Sequence, residues 1–374
     1  MKKTFIFLMI MGILFLTGCN KNSADKIFQD LTDKVNKLNS YKITGTLEVK
    51  NRNDTHNYNV EVSHMASDKF RVSLVNTANN HEQVILRNDE GIFVLTPSLN
   101  KSFKFQSDWP YNNSQIYLLG SIIDDLNNDS SVTKEEIDSK YVFTSKVNYP
   151  NNSELVKQKV TVNKDLMIEK VEVLTENDEV EMKFTVSNID YNPTFDETYF
   201  EVNSIINNNQ NNMEQNKEEN NSKESNNEKS ENDTSTTTNS NANTNSNNSN
   251  TNSKTEQTAT IDDIIYPLYL PAGTVLEEQE KVSKTDGERV ILTFGGEKGF
   301  TLVEETVSRE EELTIIPTYG EPHLINDTIG SMTDNSLNWI SDDIEYYIVS
   351  DVMTSSELLE IAESINISSV ASLK

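Results

Sequence analysis

The chain has 374 residues and carries 60 acidic against 32 basic side chains, a formal net charge of −28. So acidic a surface repels phosphates, which argues against nucleic acid as a partner and against the chain lying flat on anionic lipid. One cysteine rules out a disulfide within the chain, so each folded part must stand on its own core.

The first recognisable element is a targeting segment. Lys2 and Lys3 precede an apolar run from Phe5 to Leu16, the layout of a secretion signal and too short for a bilayer span of about 20 residues. The run ends in Leu16-Thr17-Gly18-Cys19, which resembles the bacterial lipobox. That resemblance implies a signal peptide over 1–18 and a lipid anchor (diacylglycerol, palmitate) on Cys19. Two acyl chains attach a protein stably where one does not, so the expected location is the outer face of the cytoplasmic membrane.

A helix follows, with Ile27, Leu31, Val35 and Leu38 at helical spacing and Phe28 beside them. Strands come next. In "YKITGTLEVK" Tyr41, Ile43, Leu47 and Val49 alternate with polar residues. The same alternation marks Tyr58-Val60-Val62, Phe70-Val72-Leu74, Phe103-Phe105, Tyr141-Phe143, Val156-Val160-Val162 and Met182-Phe184-Val186. Strict alternation means one dry and one wet face, hence an antiparallel sheet. The apolar stretch 114–126 predicts a second helix on the dry face.

The opening "SYKITGTLEV" (40–49), the strand "DKFRVSL" (68–74) and the closing "NPTFDETYFEVN" (192–203) resemble the LolA-like fold. Its members include lipoprotein carriers, the RseB partner of anti-sigma factors, and germination and sporulation lipoproteins. The resemblance implies an α+β class: a curved antiparallel sheet over 19–203 with helices on its concave face.

Composition then changes. From Asn207 to Thr258 only Met213 and Ala242 are apolar, too few to offset ordering entropy, which predicts a disordered Asn/Ser/Thr/Glu-rich linker over 204–259. Residues 260–374 predict a small α+β domain. It has a Pro271–Gly273 turn, hairpins over 288–305 and 337–351, and a final helix opened by the Thr354–Glu357 capping box, with Met353 and Leu358 as a staple. This run resembles the small domain of unknown function that follows LolA-like domains in Firmicutes lipoproteins.

Chemistry is sparse. His56, His64, His81 and His323 form no metal-ligand spacing, and no nucleophile motif or phosphate loop is present; "GGEKG" (295–299) reads as a hairpin turn. No cofactor, metal or catalytic residue is assigned. His64 shares its register with Tyr58, Val60 and Val62 and is expected in the core. The concave face suggests an apolar cavity lined by Phe70, Val72, Phe103, Phe105, Trp109, Tyr117 and Leu118, against the alternative that these only fill the core. The expected function is non-enzymatic binding of a protein partner or lipid ligand, in envelope signalling or in spore envelope assembly and germination. A carboxylate-based cell-wall hydrolase and a lipoprotein carrier are the alternatives.

Overall fold

The computed structural model describes residues 22–51, 54–207 and 260–365. The expected signal peptide over 1–18, Cys19 and the expected linker from residue 208 onward lie outside the described residues. Helix α1 (Asn22–Val35) leads into β1 (Ser40–Asn51), β2 (Asp54–Met65), β3 (Lys69–Asn76), β4 (Glu82–Asn88), β5 (Gly91–Thr96) and β6 (Lys101–Phe105). Helix α2 (Leu119–Asn128) precedes β7 (Thr133–Ile137), β8 (Lys140–Lys146), β9 (Lys157–Val162), β10 (Ile168–Leu174) and β11 (Val180–Asp190). These eleven strands form one antiparallel sheet in the order β6-β5-β4-β3-β2-β1-β11-β10-β9-β8-β7.

The alternating residues do what their period demands. Tyr41, Ile43, Leu47, Tyr58, Val60, Val62, Val72 and Phe184 are nearly solvent-free on one face, with Leu31, Ile122 and Leu126 of the two helices packed into the same core. The sheet bends at a bulge between Thr44 and Gly45. Gly45 is needed there, because a Cβ would fall 2.4 Å from the Thr185 carbonyl oxygen and 2.8 Å from the Phe184 ring.

Three differences from the sequence reading have physical causes. Strands β4 and β5 lack alternation because both faces are buried: Ile85, Ile92 and Val94 join the concave core, while Val84, Leu86, Phe93 and Leu95 pack beneath Phe200, Val202, Ile205 and Ile206 on the convex side. Residues 202–207 are helical and Ile205 and Ile206 are buried, so the stretch from Ser204 belongs to the folded part and not to the linker. Helix α2 starts at Leu119 rather than Ser114. Ser114 is instead tied to Asn148, whose carbonyl accepts from the Ser114 N–H and whose N–H donates to Ser114 Oγ, both at 2.8 Å.

The second half builds its own seven-stranded sheet from β12 (Val275–Ser283), β13 (Glu288–Gly295), β14 (Phe300–Thr306), β16 (Glu321–Ile325), β17 (Thr328–Met332), β18 (Ser336–Ser341) and β19 (Ile344–Val349), in the order β12-β13-β14-β19-β18-β17-β16. Helix α3 (Ser355–Glu363) closes it. Its capping box is formed by Thr354 and Glu357, and Met353 and Leu358 are both buried in the same cluster.

The remaining strand, β15 (Thr314–Thr318), leaves that sheet and pairs parallel with β6, Thr314 opposite Lys101 and Thr318 opposite Phe105. The first sheet thus has twelve strands. Pro317 is tolerated because β15 is the new edge. The approach is locked by the Glu310 N–H on the Leu99 carbonyl (3.0 Å), the Thr314 N–H on the Asn100 carbonyl (2.9 Å), and Asn100 Nδ2 on the Glu310 carbonyl (2.7 Å).

A second lock joins the sheets face on. Gln83 of β4 is buried; its Nε2 donates to the Ile329 carbonyl (3.1 Å), and its Oε1 accepts from the Ile329 N–H (2.5 Å) and Thr328 Oγ1 (2.9 Å). Ile329 itself belongs to the concave core. Replacing Gln83 by Leu strands the Ile329 amide without partners in a dry site. Since a buried unpaired polar group costs about 1–3 kcal/mol, Gln83→Leu should lower stability by at least that much in urea unfolding; an unchanged midpoint would mean the amide does not hold the sheets together.

Candidate functional site

Because β15 and Gln83 fix the second sheet against the first, a cleft of about 940 Å³ is left between them. Its floor is the concave face, with Leu47, Val49, Leu74 and Ile85. One wall is the segment from Trp109 through Tyr117 together with the 149–155 loop. The roof comes from the second half: Pro322, His323 and Leu324 on β16, Ile329 on β17, and Ser356, Leu359, Glu360 and Glu363 on α3. The roof is pinned at Ser356, whose Oγ donates to the Asn151 carbonyl (3.0 Å), and at Asn326, whose side-chain Oδ1 accepts from Asn51 Nδ2 (2.7 Å) and whose carbonyl accepts from Tyr58 OH (3.1 Å).

Of the seven residues expected to line a cavity, two line this cleft: Trp109 and Tyr117. Phe103 and Phe105 line a gap of about 10 Å³ against Trp339 and Ile340, too small for a ligand. Phe70, Val72 and Leu118 are buried in the concave core and line neither space. Phe70 lies between His64 (ring centroids 4.5 Å apart) and Trp109 (6.1 Å). His64 donates from Nδ1 to the Lys69 carbonyl (3.1 Å), a satisfied histidine packed between Tyr41 and Phe70. The sequence reading missed the roof. A roof strand such as "EPHLI" (321–325) has no strict alternation, and no local signal says that it faces a sheet formed hundreds of residues earlier.

Burial tunes the cleft's titratable groups. It pushes the hydroxyls of Tyr117 and Tyr149 far up, with Asp125 adding to the effect at Tyr149. It lowers the His323 imidazole to about 4, and it raises to about 6 the carboxyl of Asp125, which is on α2 and not among the lining residues. Glu181 at the rim is raised first by desolvation and then by the nearby Glu179 and Glu154, against the pull of Lys50. No group of three or more His, Cys, Asp or Glu side chains among the described residues is placed to hold a metal ion.

The described residues thus form a sheet-lined hollow roofed by a second sheet, with an apolar floor and a charged rim. The particular family comes from comparison. A model described as "Sporulation protein YdcC-like" matches residues 1–200. The chain is also 33% identical over 366 residues to "Sporulation protein YdcC" of Bacillus subtilis (strain 168), covering 97% of each chain. It belongs to the YdcC-like family of sporulation proteins. Among solved structures it is similar to MucB in complex with MucA(peri), with 11% identity, 92% and 98% of the two chains covered and a TM-score of 0.28. It is also similar to the putative outer membrane lipoprotein-sorting protein domain of Vibrio parahaemolyticus (12%, 50% and 100%, 0.31) and to the complex of the CwlD amidase from Clostridioides difficile with the GerS lipoprotein (16%, 47% and 97%, 0.25).

Two measurements check the site. Phe105→Ala should cost about 3–5 kcal/mol, the loss of a packed aromatic; a cost below about 1 kcal/mol would remove Phe105 from the core. His323 stays neutral in the folded chain down to about pH 4, while an unfolded histidine takes a proton near 6.5. The unfolded state therefore binds more protons in that window, and the term costs stability as the pH falls from 6.5 towards 4. Urea midpoints of the wild type and His323→Gln, compared at about pH 7 and about pH 4, should show any wild-type advantage shrinking or reversing on acidification. A constant difference would mean that His323 is not held neutral.

Proposed function

We propose that this chain is a membrane-anchored sporulation protein that holds a partner protein in the cleft between its two sheets, without a reaction of its own. The anchor is the lipid on Cys19, the folded part lies outside the cytoplasmic membrane, and the segment after residue 207 tethers one half to the other. The observation that carries the reading is the cleft's construction. It is roofed by a second sheet held through dedicated contacts, Gln83 on Ile329 and β15 on β6. Its lining mixes apolar side chains with Asn113, Ser114, Gln115, Asn151 and Asn152, a pattern suited to the backbone and side chains of a protein segment more than to a plain acyl chain.

A second reading rests on one feature. Glu181, whose carboxyl desolvation pushes up, shares the edge of the cleft with Glu154 and Glu179, and wall-polymer hydrolases work with a pair of carboxyl groups. A zymogram on peptidoglycan separates the two. Clearing by the wild type and not by Glu181→Gln would replace the binding reading with this one.

The binding reading is tested in sporulating cells. A photo-crosslinking residue in place of Leu359 should capture a discrete protein, while one in place of Leu276, exposed on β12, should not. In the same cells Cys19→Ala should leave the membrane fraction or accumulate as the uncleaved precursor. Equal capture at both positions would overturn the cleft as the site; unchanged fractionation of the Cys19 variant would overturn the anchor.

A further inference from the structure

The strand of the second sheet that hangs over the cleft has one bare side. Among the described residues β16 is the last strand of its sheet and pairs only with β17. Their hairpin closes with Ile325 opposite Thr328, across Asn326 and Asp327. Hydrogen bonds alternate along such a pair, so Leu324 and Ile329 turn their backbone groups outward on the two sides. Ile329 shows this directly, since its N–H and carbonyl both go to Gln83 rather than to β16. The N–H and carbonyl of Leu324 therefore point to the opposite, free edge, and no described residue bonds to them there. Two residues earlier the Pro322 carbonyl points the same way, and a proline has no N–H to leave unpaired at an edge.

The cleft runs along that edge. Successive side chains of a strand project to opposite faces, yet Pro322, His323 and Leu324 all line the one cavity, so the hollow reaches past the edge of β16 to both its faces. A further unmet acceptor lies beyond the turn at the end of the strand. Asn51, only 8% exposed and part of the lining, spends its Nδ2 on Asn326 Oδ1 (2.7 Å), and its own Oδ1 has no hydrogen-bond partner. Its orientation is fixed, because Asn326 Nδ2 is committed to the Ala362 and Ile365 carbonyls. Unpaired groups at a strand edge, and a buried acceptor without a donor, cost free energy that incoming backbone groups recover.

We infer that the occupant of this cleft is an extended protein segment that adds as a strand to the free edge of β16, with alternate apolar side chains on the concave floor. The inference rests on the reading of the cleft as a binding site for a protein and states the form that the bound segment takes. The complement of the Leu324 N–H and of the Leu324 and Pro322 carbonyls is a run of backbone amides at strand spacing. A helix spends those groups on itself, and an acyl chain has none. The floor residues Leu47, Leu74 and Ile85 suit every second side chain of such a segment. The molecule already uses the same device where β15 extends β6 by backbone pairing.

The test uses the full chain in non-ionic detergent. Hydrogen–deuterium exchange resolved to single residues should find the Leu324 amide exchanging faster than that of His323, which is turned towards Gly330 of β17. A labelled peptide of about six residues, enough to span the five of β16, alternates Val with Thr and carries a polyethylene glycol tail for solubility. Titrated by fluorescence anisotropy against a detergent blank, it should bind and slow exchange at Leu324. Leu359→Trp, which fills the cleft, should abolish binding, and thermal melting verifies that this variant folds. Two further versions carry N-methyl groups on alternate amides, one version for each edge of the extended peptide. One should bind about tenfold more weakly than the parent and the other within about twofold of it. Equal binding of the two methylated versions, binding that leaves Leu324 exchange or the Leu359→Trp variant unaffected, or no binding at all overturns strand addition. Capture of a discrete protein through Leu359 in sporulating cells would then keep the cleft as a site with a differently shaped occupant, and loss of that capture too would overturn the cleft reading.

Discussion

Gln83 offers a buried side-chain amide where a neighbouring strand would offer a backbone one. Its donor and acceptor meet the carbonyl and N–H of Ile329 as a paired residue would, so the second sheet is joined to the first without sharing a strand at that point. An amide buried away from water must find such partners or cost free energy, so the contact is specific in position as well as favourable. It places Ile329 in the concave core and β16 and α3 over the hollow. Without that fixed spacing there is no cleft, only an open concave face and a separate small sheet.

The locks at the two sides of the interface differ in kind. At the sheet edge, β15 extends β6 by backbone pairing, which is indifferent to side chains and covers an edge that would otherwise template association. At the opposite side, Asn326 sits in a left-handed turn (φ 53°) and bridges Asn51, Tyr58 and the end of α3, its Nδ2 donating to the Ala362 and Ile365 carbonyls at 2.9 and 3.2 Å. Backbone pairing gives strength, and the buried amides give register. With one cysteine in the chain, no covalent bridge assists either.

Much of the first sheet is legible in its residues because one face is wet. β1, β2, β3 and β9 alternate, and their apolar residues are the ones found buried. Where that asymmetry ends, legibility ends too. β4 and β5 read as continuous apolar runs since Phe200 and Ile206 cover their second face. The capping box of the last helix is visible because capping is a local contact between residues three apart. The cleft is half visible: Tyr117 belongs to the apolar stretch 114–126 that announces burial and Trp109 is a large aromatic close before it, whereas His323 and Leu359 enter only through contacts between distant parts of the chain. A long polar stretch between two folded halves suggests independence, and nothing in its composition reveals that the halves dock.

The parallel pairing of β15 with β6 also sets an order of events during synthesis. Strand β6 ends at Phe105 and its partner begins at Thr314, so for most of the time the chain is being made, that flank of the first sheet has no neighbour. Contacts so far apart in sequence form slowly, because a long loop must close before they are rewarded. The nascent first half therefore travels with an open β-edge, a period in which chaperones and foreign strands compete for the place that Thr314–Thr318 finally takes.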